Sequence, residues 1–217
     1  GCGKTTLLKA IAGLVESCGG KIELLEHDIT QPVERRPRAL LPELQVVFQN
    51  PDSTLNPSHT VHHAIARSLR VFNTVPKGQI DGEVERLLLA VRLGPDYLSR
   101  RPSQLSGGEK QRVAVARALA GRPSMVLCDE PVASLDVSVQ AAILNLLLEF
   151  QQSYGISMLF ISHDLSVVRY LCDAIAVMYL GKFCEVGQAR DIFLPPYHPY
   201  TEALLSAVPV PDPEVDQ

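Results

Sequence analysis

The sequence has no run of about 18 consecutive apolar residues, so no part of it is expected to cross a bilayer as a helix. It has no basic excess either. Twenty lysines and arginines against 24 aspartates and glutamates leave a net charge of −4. Proteins that grip nucleic-acid backbone usually present a basic field, so nucleic acid is not an expected partner. No two cysteines form a C-x-x-C pair. The five present, Cys2, Cys18, Cys128, Cys172 and Cys184, are odd in number and scattered, and they read as reduced thiols of a cytosolic protein rather than a metal cluster. Internal repeats, low-complexity tracts and a secretory signal are also missing. There is no initiating methionine: Gly1 opens inside a motif. We therefore expect a fragment truncated at its N-terminus, whose missing part holds the strand that leads into that motif.

What is present suits a packed α/β domain. The hydrophobic fraction is 46%. Leu7, Leu8, Ile11 and Leu14 fall on one side of a helix expected over Thr5–Val15. Strands are expected at Lys21–Leu25 and Leu44–Phe48, with a loop between them marked by Pro32, Pro37 and Pro42. Helical periodicity follows at Val61–Val71, Glu83–Leu93 and Gly107–Ala120. Met125–Cys128 reads as a buried strand, Val139–Tyr154 as a helix and Ser157–Ile161 as a strand. A helix near Leu165–Leu171 and a strand at Ala174–Leu180 come next, before a proline-rich extension from Gln188. Alternating strands and helices imply a mostly parallel sheet covered by helices. The expected organisation is a core over 1–50 and 122–187, an inserted helical subdomain over 51–121, and a C-terminal extension over 188–217.

Three motifs carry chemistry. Gly1-Cys2-Gly3-Lys4-Thr5-Thr6 is the second half of G-x-x-x-x-G-K-[ST]. Glycines in such a loop let backbone N–H groups turn toward phosphate oxygens, and the following helix aims its positive end at the same oxygens. Lys4 would reach the β- and γ-phosphates, and the Thr5 hydroxyl would bind Mg²⁺. The second motif is the apolar strand Met125-Val126-Leu127-Cys128, ending in Asp129-Glu130. A carboxylate at a strand tip of an open α/β sheet lies where ligands bind. Asp129 is the candidate for the metal shell, and Glu130 for polarising the attacking water. The third is Leu105-Ser106-Gly107-Gly108-Glu109-Lys110-Gln111-Arg112. A Ser-Gly-Gly opening a helix offers N–H groups and a helix dipole to an anion, although Ser106 would serve equally well as a plain helix cap.

Taken together and in this order, the motifs resemble the ATP-binding subunits of ABC transporters over essentially the whole chain. The resemblance implies a P-loop NTPase core, ATP and Mg²⁺ as cofactors, and ATP hydrolysis. It implies that Gln49 is the glutamine that senses the γ-phosphate and completes the metal shell beside Thr5 and Asp129. Ser134-Leu135-Asp136 looks like the D-loop, and His163 in Phe160-Ile161-Ser162-His163-Asp164 looks like the switch histidine. His27, His59, His62, His63 and His198 are left as surface or packing residues. It further implies a head-to-tail pair, with Ser106, Gly107, Gly108 and Asp136 of one subunit facing nucleotide held by the other.

Three segments are similar to the oligopeptide, dipeptide and nickel importers. They are Phe48-Gln49-Asn50-Pro51 with Leu55-Asn56-Pro57, the stretch Ser134–Ala141, and the tail His198–Leu205 with Pro209–Pro213. Glu109, Lys110 and the order Ala133-Ser134 depart from that branch. The branch implies an ATPase on the cytoplasmic face of the inner membrane, bound to separate permease subunits and served indirectly by an extracytoplasmic solute-binding protein. Gln49 and the helical block near Val61–Leu69 would receive a permease helix. A nickel-type importer, a non-transport ABC-type ATPase and a regulatory protein without turnover are the alternatives. Intact Asp129, Glu130 and His163 speak against the last, and the lack of long coiled coils or basic linkers against the second.

Overall fold

The structure is a computed structural model that describes residues 2–207. They divide into two compact units, one of Thr5–Ile161 and one of the first four residues with Ser162 onward.

Helix α1 (Lys4–Ile11), which lies in the first unit from Thr5 onward, stops well short of Val15. The reason is a glycine stop. Gly13 has φ 75°, its N–H bonds the Ala10 carbonyl, and the Leu14 N–H bonds the Lys9 carbonyl, the paired bonds of a Schellman end. The buried Arg36 guanidinium donates to the Ile11 carbonyl at 2.9 Å, and a Cβ on Gly13 would lie 2.6 Å from it. Leu14 and Val15, apolar and in phase with the helix, are exposed.

The strand expected at Lys21–Leu25 is a short hairpin instead, β1 (Glu23–Leu24) against β2 (His27–Asp28). Its two turn residues, Leu25 and Glu26, both have positive φ, as the type I′ hairpin turn demands. Neither is the Asn or Gly that would signal such a turn.

Then come β3 (Leu44–Val47), α2 (Val61–Phe72), α3 (Ile80–Ala90) and α4 (Gly107–Leu119). Helix α3 begins three residues before Glu83 because Ile80 is buried with Val84, Leu87 and Leu88. The three helices pack on one another, and α2 turns Val61, Ile65, Ala66 and Leu69 inward. At the start of α4, the Ser106 hydroxyl accepts from the Glu109 N–H while Glu109 Oε2 accepts from the Ser106 N–H at 2.7 Å. This is a capping box. The Tyr97 hydroxyl donates to the other Glu109 oxygen at 2.5 Å.

The chain continues through β4 (Met125–Asp129), α5 (Val137–Tyr154) and β5 (Ser157–Ile161). The sheet is parallel, in the order β3-β4-β5. Val47 pairs with Cys128, and Asp129 with Ile161. Period-two alternation gives the sheet two faces. Leu127 and Ile161 on one face pack on Leu8 and Ala12 of α1 and its end. Val47, Val126 and Cys128 occupy the other face and are buried, and α4 runs against β3. Helix α4 meets α5 and the segment leading into it closely: a Cβ on the buried Gly108 would stand 2.5 Å from Val139 Cγ1 of α5, and one on Gly107 3.3 Å from Cδ2 of the preceding Leu135.

The second unit contains α6 (Leu165–Leu171), β6 (Ala174–Tyr179), β7 (Lys182–Gln188), α7 (Ala189–Ile192) and α8 (Pro199–Ser206). The expected strand at Ala174–Leu180 is present, but its partner is antiparallel. It joins β7 through a tight turn at Leu180 and Gly181, both with positive φ. Strand β7 had no legible signal because its half-exposed residues do not alternate. The proline-rich extension is not without structure. His198 caps α8, and Glu185 accepts from the His198 N–H at 3.2 Å and from the Thr201 hydroxyl. The expected tail feature Pro209–Pro213 lies outside the described residues.

Two outcomes follow from this packing. Leu127 is fully buried, so Leu127→Ala should cost about 2–5 kcal/mol in chemical denaturation. Glu109 is held below the usual carboxylate range, chiefly by the Tyr97 hydroxyl and then by the Ser106 N–H. Its stabilisation is present above the unfolded carboxylate value and is lost as pH falls through the depressed one. Glu109→Gln loses the charge but keeps an acceptor for the Ser106 N–H, so it should destabilise the protein only modestly at neutral pH, and denaturation followed toward acid pH should show the gap to the unmodified protein closing.

Candidate nucleotide-binding site

Four apolar residues of β4 carry Asp129 to a strand tip where it is 6% exposed. From α1, 124 residues earlier, the Thr5 hydroxyl donates to Asp129 Oδ1 at 3.1 Å. The contact is set from below: Leu8, one turn beyond Thr5, is fully buried against Leu127, two residues before Asp129. Both groups are hard oxygen donors, the kind Mg²⁺ prefers. Cis corners of an octahedron with bonds of 2.0–2.1 Å lie about 3.0 Å apart, so the pair fits that ion. Among the described residues there is no cluster of three or more histidine, cysteine and acidic side chains that could hold a metal by themselves. An ion at Thr5 and Asp129 would complete its shell with phosphate oxygens and water, as Mg²⁺ usually does.

Glu130 follows in the left-handed region, φ 45°, with its N–H donated to the Ile161 carbonyl at 3.0 Å. Such a conformation in a non-glycine residue is uncommon and gathers at functional sites. The chain turns sharply there, and the buried Pro131 and Val132 hold the turn. Gln49 is exposed at the end of β3. Because Val47 pairs with Cys128 in parallel register, Gln49 and Glu130 leave adjacent strand tips. Thr6 is exposed on the first turn of α1.

Ser106 and Gly107 are exposed at the start of α4, and Gly108 is buried beneath them. Asp136 caps α5, accepting from the Val139 N–H at 3.0 Å and from the Ser138 hydroxyl at 2.7 Å. The Ser138 bond chiefly holds its carboxyl below the usual range. The close fits of Gly107 to Leu135 and of Gly108 to Val139 bring the Ser-Gly-Gly motif and the Asp136 segment together in one surface.

Cys2, Gly3, Lys4 and His163 belong to the other unit. Gly3 has φ 93°, the freedom a phosphate loop requires. The Cys2 carbonyl accepts from the Gly181 N–H at 3.1 Å, and Lys4 Nζ lies 3.6 Å from Cys2 Sγ. His163 is exposed, and Gly1 lies outside the described residues.

Sequence reading overlooked four residues of the first unit. Glu109 was noted only as a departure, although Ser106-x-x-Glu109 is itself the capping-box signal. Lys110 pairs with Asp52 at 2.7 Å, and Arg117 donates to the Thr54 carbonyl. The amide of the buried Gln111 donates to the Phe48 carbonyl at 3.2 Å. These last partners are 58 to 63 residues distant and left no local signal.

Comparison with known proteins agrees with this geometry. The sequence model of the oligopeptide/dipeptide transporter C-terminal region matches residues 184–217. The oligopeptide transport ATP-binding protein OppF of Salmonella typhimurium is 41% identical over the whole of this chain, which covers 65% of that protein. A probable peptide ABC transporter ATP-binding protein of Sinorhizobium fredii is 44% identical over 98% of the chain and 60% of its own length. The chain thus spans just under two thirds of these relatives. Among solved structures, a dimeric ATP-binding cassette in a post-hydrolysis state with ADP and Pi shares the fold, with TM-score 0.76, 24% identity, and coverage of 87% of this chain and 82% of its own. The cbiO1 protein of Clostridium perfringens, part of the ABC transporter complex cbiONQ, has TM-score 0.74, 28% identity, and coverage of 88% and 75%. Residues 1–133 match the sequence model of the ABC transporter family, and with the nucleotide-site geometry above, the chain belongs to that family.

Proposed function

We propose that this chain is the ATP-binding and ATP-hydrolysing part of an ABC importer for peptides or a related small solute. The observation that carries the reading is the Thr5–Asp129 contact, with Glu130 next in the chain at a turned strand tip. Lys4 would neutralise the β- and γ-phosphates, and the N–H groups of Gly1, Cys2, Gly3 and Thr6 would cradle them. Thr5 and Asp129, with Gln49, would hold Mg²⁺, which when bound spreads the charge that develops on the phosphates. Glu130 would take the proton of the attacking water, and His163 and Gln49 would contact the γ-phosphate.

Ser106, Gly107, Gly108 and Asp136 would complete the site of a second subunit, like or homologous. Asp136 already spends acceptor capacity on its own helix, so its share would be to hold the surface in shape. The relatives' names and the match at residues 184–217 support a peptide or similar solute. Among the described residues no helix is long and apolar enough to cross a membrane. The partners would be separate transmembrane permeases, met on the cytoplasmic face of the inner membrane, with a solute-binding protein acting through them. A groove of about 490 Å³, lined by Val46, Phe48, Arg67, Val71 and Arg117, suits a permease helix. Of the stretch Val61–Leu69, Ala64, Arg67 and Ser68 line this groove with Val71 just beyond, whereas Val61, Ile65 and Leu69 face the core.

In the full-length protein, Glu130→Gln should keep ATP binding and slow hydrolysis by ~10²–10⁴, the range of a positioned general base. Near-normal turnover would move that role elsewhere. If like chains pair, Ser106→Arg and Lys4→Ala proteins should each be inactive alone. Mixing them should recover ATPase activity above their sum, because one site of the mixed pair joins the two intact halves. Normal hydrolysis by Ser106→Arg as a monomer would rule out a shared site.

A further inference from the structure

Helix α4 faces an otherwise apolar interior with Val113, Ala114, Val115 and Ala116, yet Gln111 on the same helix is only 1% exposed. A buried amide is costly unless it is hydrogen-bonded, and an apolar side chain there would carry no such cost. The bond Gln111 makes is to the Phe48 carbonyl, at 3.2 Å, across 63 residues. Phe48 immediately precedes Gln49.

Two further side chains of α4 reach the same segment. Lys110 holds Asp52, and Arg117, two turns along, donates to the Thr54 carbonyl. Arg117 is largely buried, and desolvation lowers its pKa, so its place at that carbonyl is not a loose surface contact. Segment 48–54 is thus tied at three points to one helix of 13 residues, whose first residues follow Ser106.

We propose that Gln111 is a positioning residue. Through the Phe48 backbone it fixes Gln49 to the helix that presents Ser106, Gly107 and Gly108, so that the two move as one body. This rests on the ATPase reading above. Phe48, Thr54 and Arg117 also line the groove, so a displacement imposed on the groove wall would arrive at both ends of the tie at once.

The test uses the full-length protein. Gln111→Leu keeps the volume and removes the donor. It should leave the thermal midpoint within a few degrees and ATP affinity within about threefold, while lowering kcat by about tenfold to a hundredfold, as a small misplacement does. Amide exchange should accelerate in residues 48–54 and not in β4 or β5. The double variant Gln49→Ala with Gln111→Leu should lose no more than Gln49→Ala alone, because groups acting through one another are not additive. Unchanged exchange at 48–54, or losses that multiply in the double variant, would overturn the proposal. Should Gln111→Leu not fold, Gln111→Asn, too short to reach the Phe48 carbonyl, takes its place. An absence of ATPase activity in the unmodified protein would instead sink the functional reading, and the exchange measurement would still decide the tie.

Discussion

The site depends on one constraint, the pairing of β4 with a parallel strand on each side. A strand bonded along both edges has its register fixed twice, and slipping by one residue would exchange its two faces and carry Asp129 away from Thr5. Val47 beside Cys128 and Asp129 beside Ile161 therefore place three strand ends in line to within one residue. Gln49, Asp129 and Glu130 inherit their spacing from that register rather than from contacts among themselves. Thr5 is then brought in by the buried Leu8 of α1, so packing on one face of the sheet and hydrogen bonding within it meet at the same carboxylate.

Helix α4 extends that order away from the sheet. Its N-terminus is finished by its own residues, Ser106 and Glu109, and its next turns hold segment 48–54. A helix whose leading donors are partly satisfied from within keeps its shape with or without an anion nearby. The exposed Ser106 and Gly107 then form a prepared surface and not one that must be organised on binding, which lowers the cost of bringing a charged group against it.

Much of this was legible in the residues. β5 and α6 stand where periodicity put them, and β3, α2, α4 and β4 within a residue or so, because their apolar positions alternate or recur at helical spacing. The failures have particular causes. Helix α1 ended early because Gly13 in a left-handed conformation outweighs two apolar residues in phase. The β1–β2 turn was hidden because Leu25 and Glu26 adopt positive φ without the usual glycine. Strand β7 carries no clean alternation. The motif residues could be singled out because phosphate chemistry would demand particular residue types at fixed spacing. Gln111, Lys110 and Arg117 were not, since their partners lie far along the chain and a polar residue in a helix looks the same whether it meets water or a buried carbonyl.

The close approach of Gly108 to Val139 gives the sequence a memory. Gly108 has an ordinary helical backbone, so the 2.5 Å approach to Val139 Cγ1 is what forbids a side chain there. Alanine at 108 becomes admissible only after position 139 has lost its branch. The reverse order passes through a clash. Along a lineage the two substitutions can therefore accumulate in one sequence and not the other, and a chain with alanine at 108 would record that its neighbour changed first.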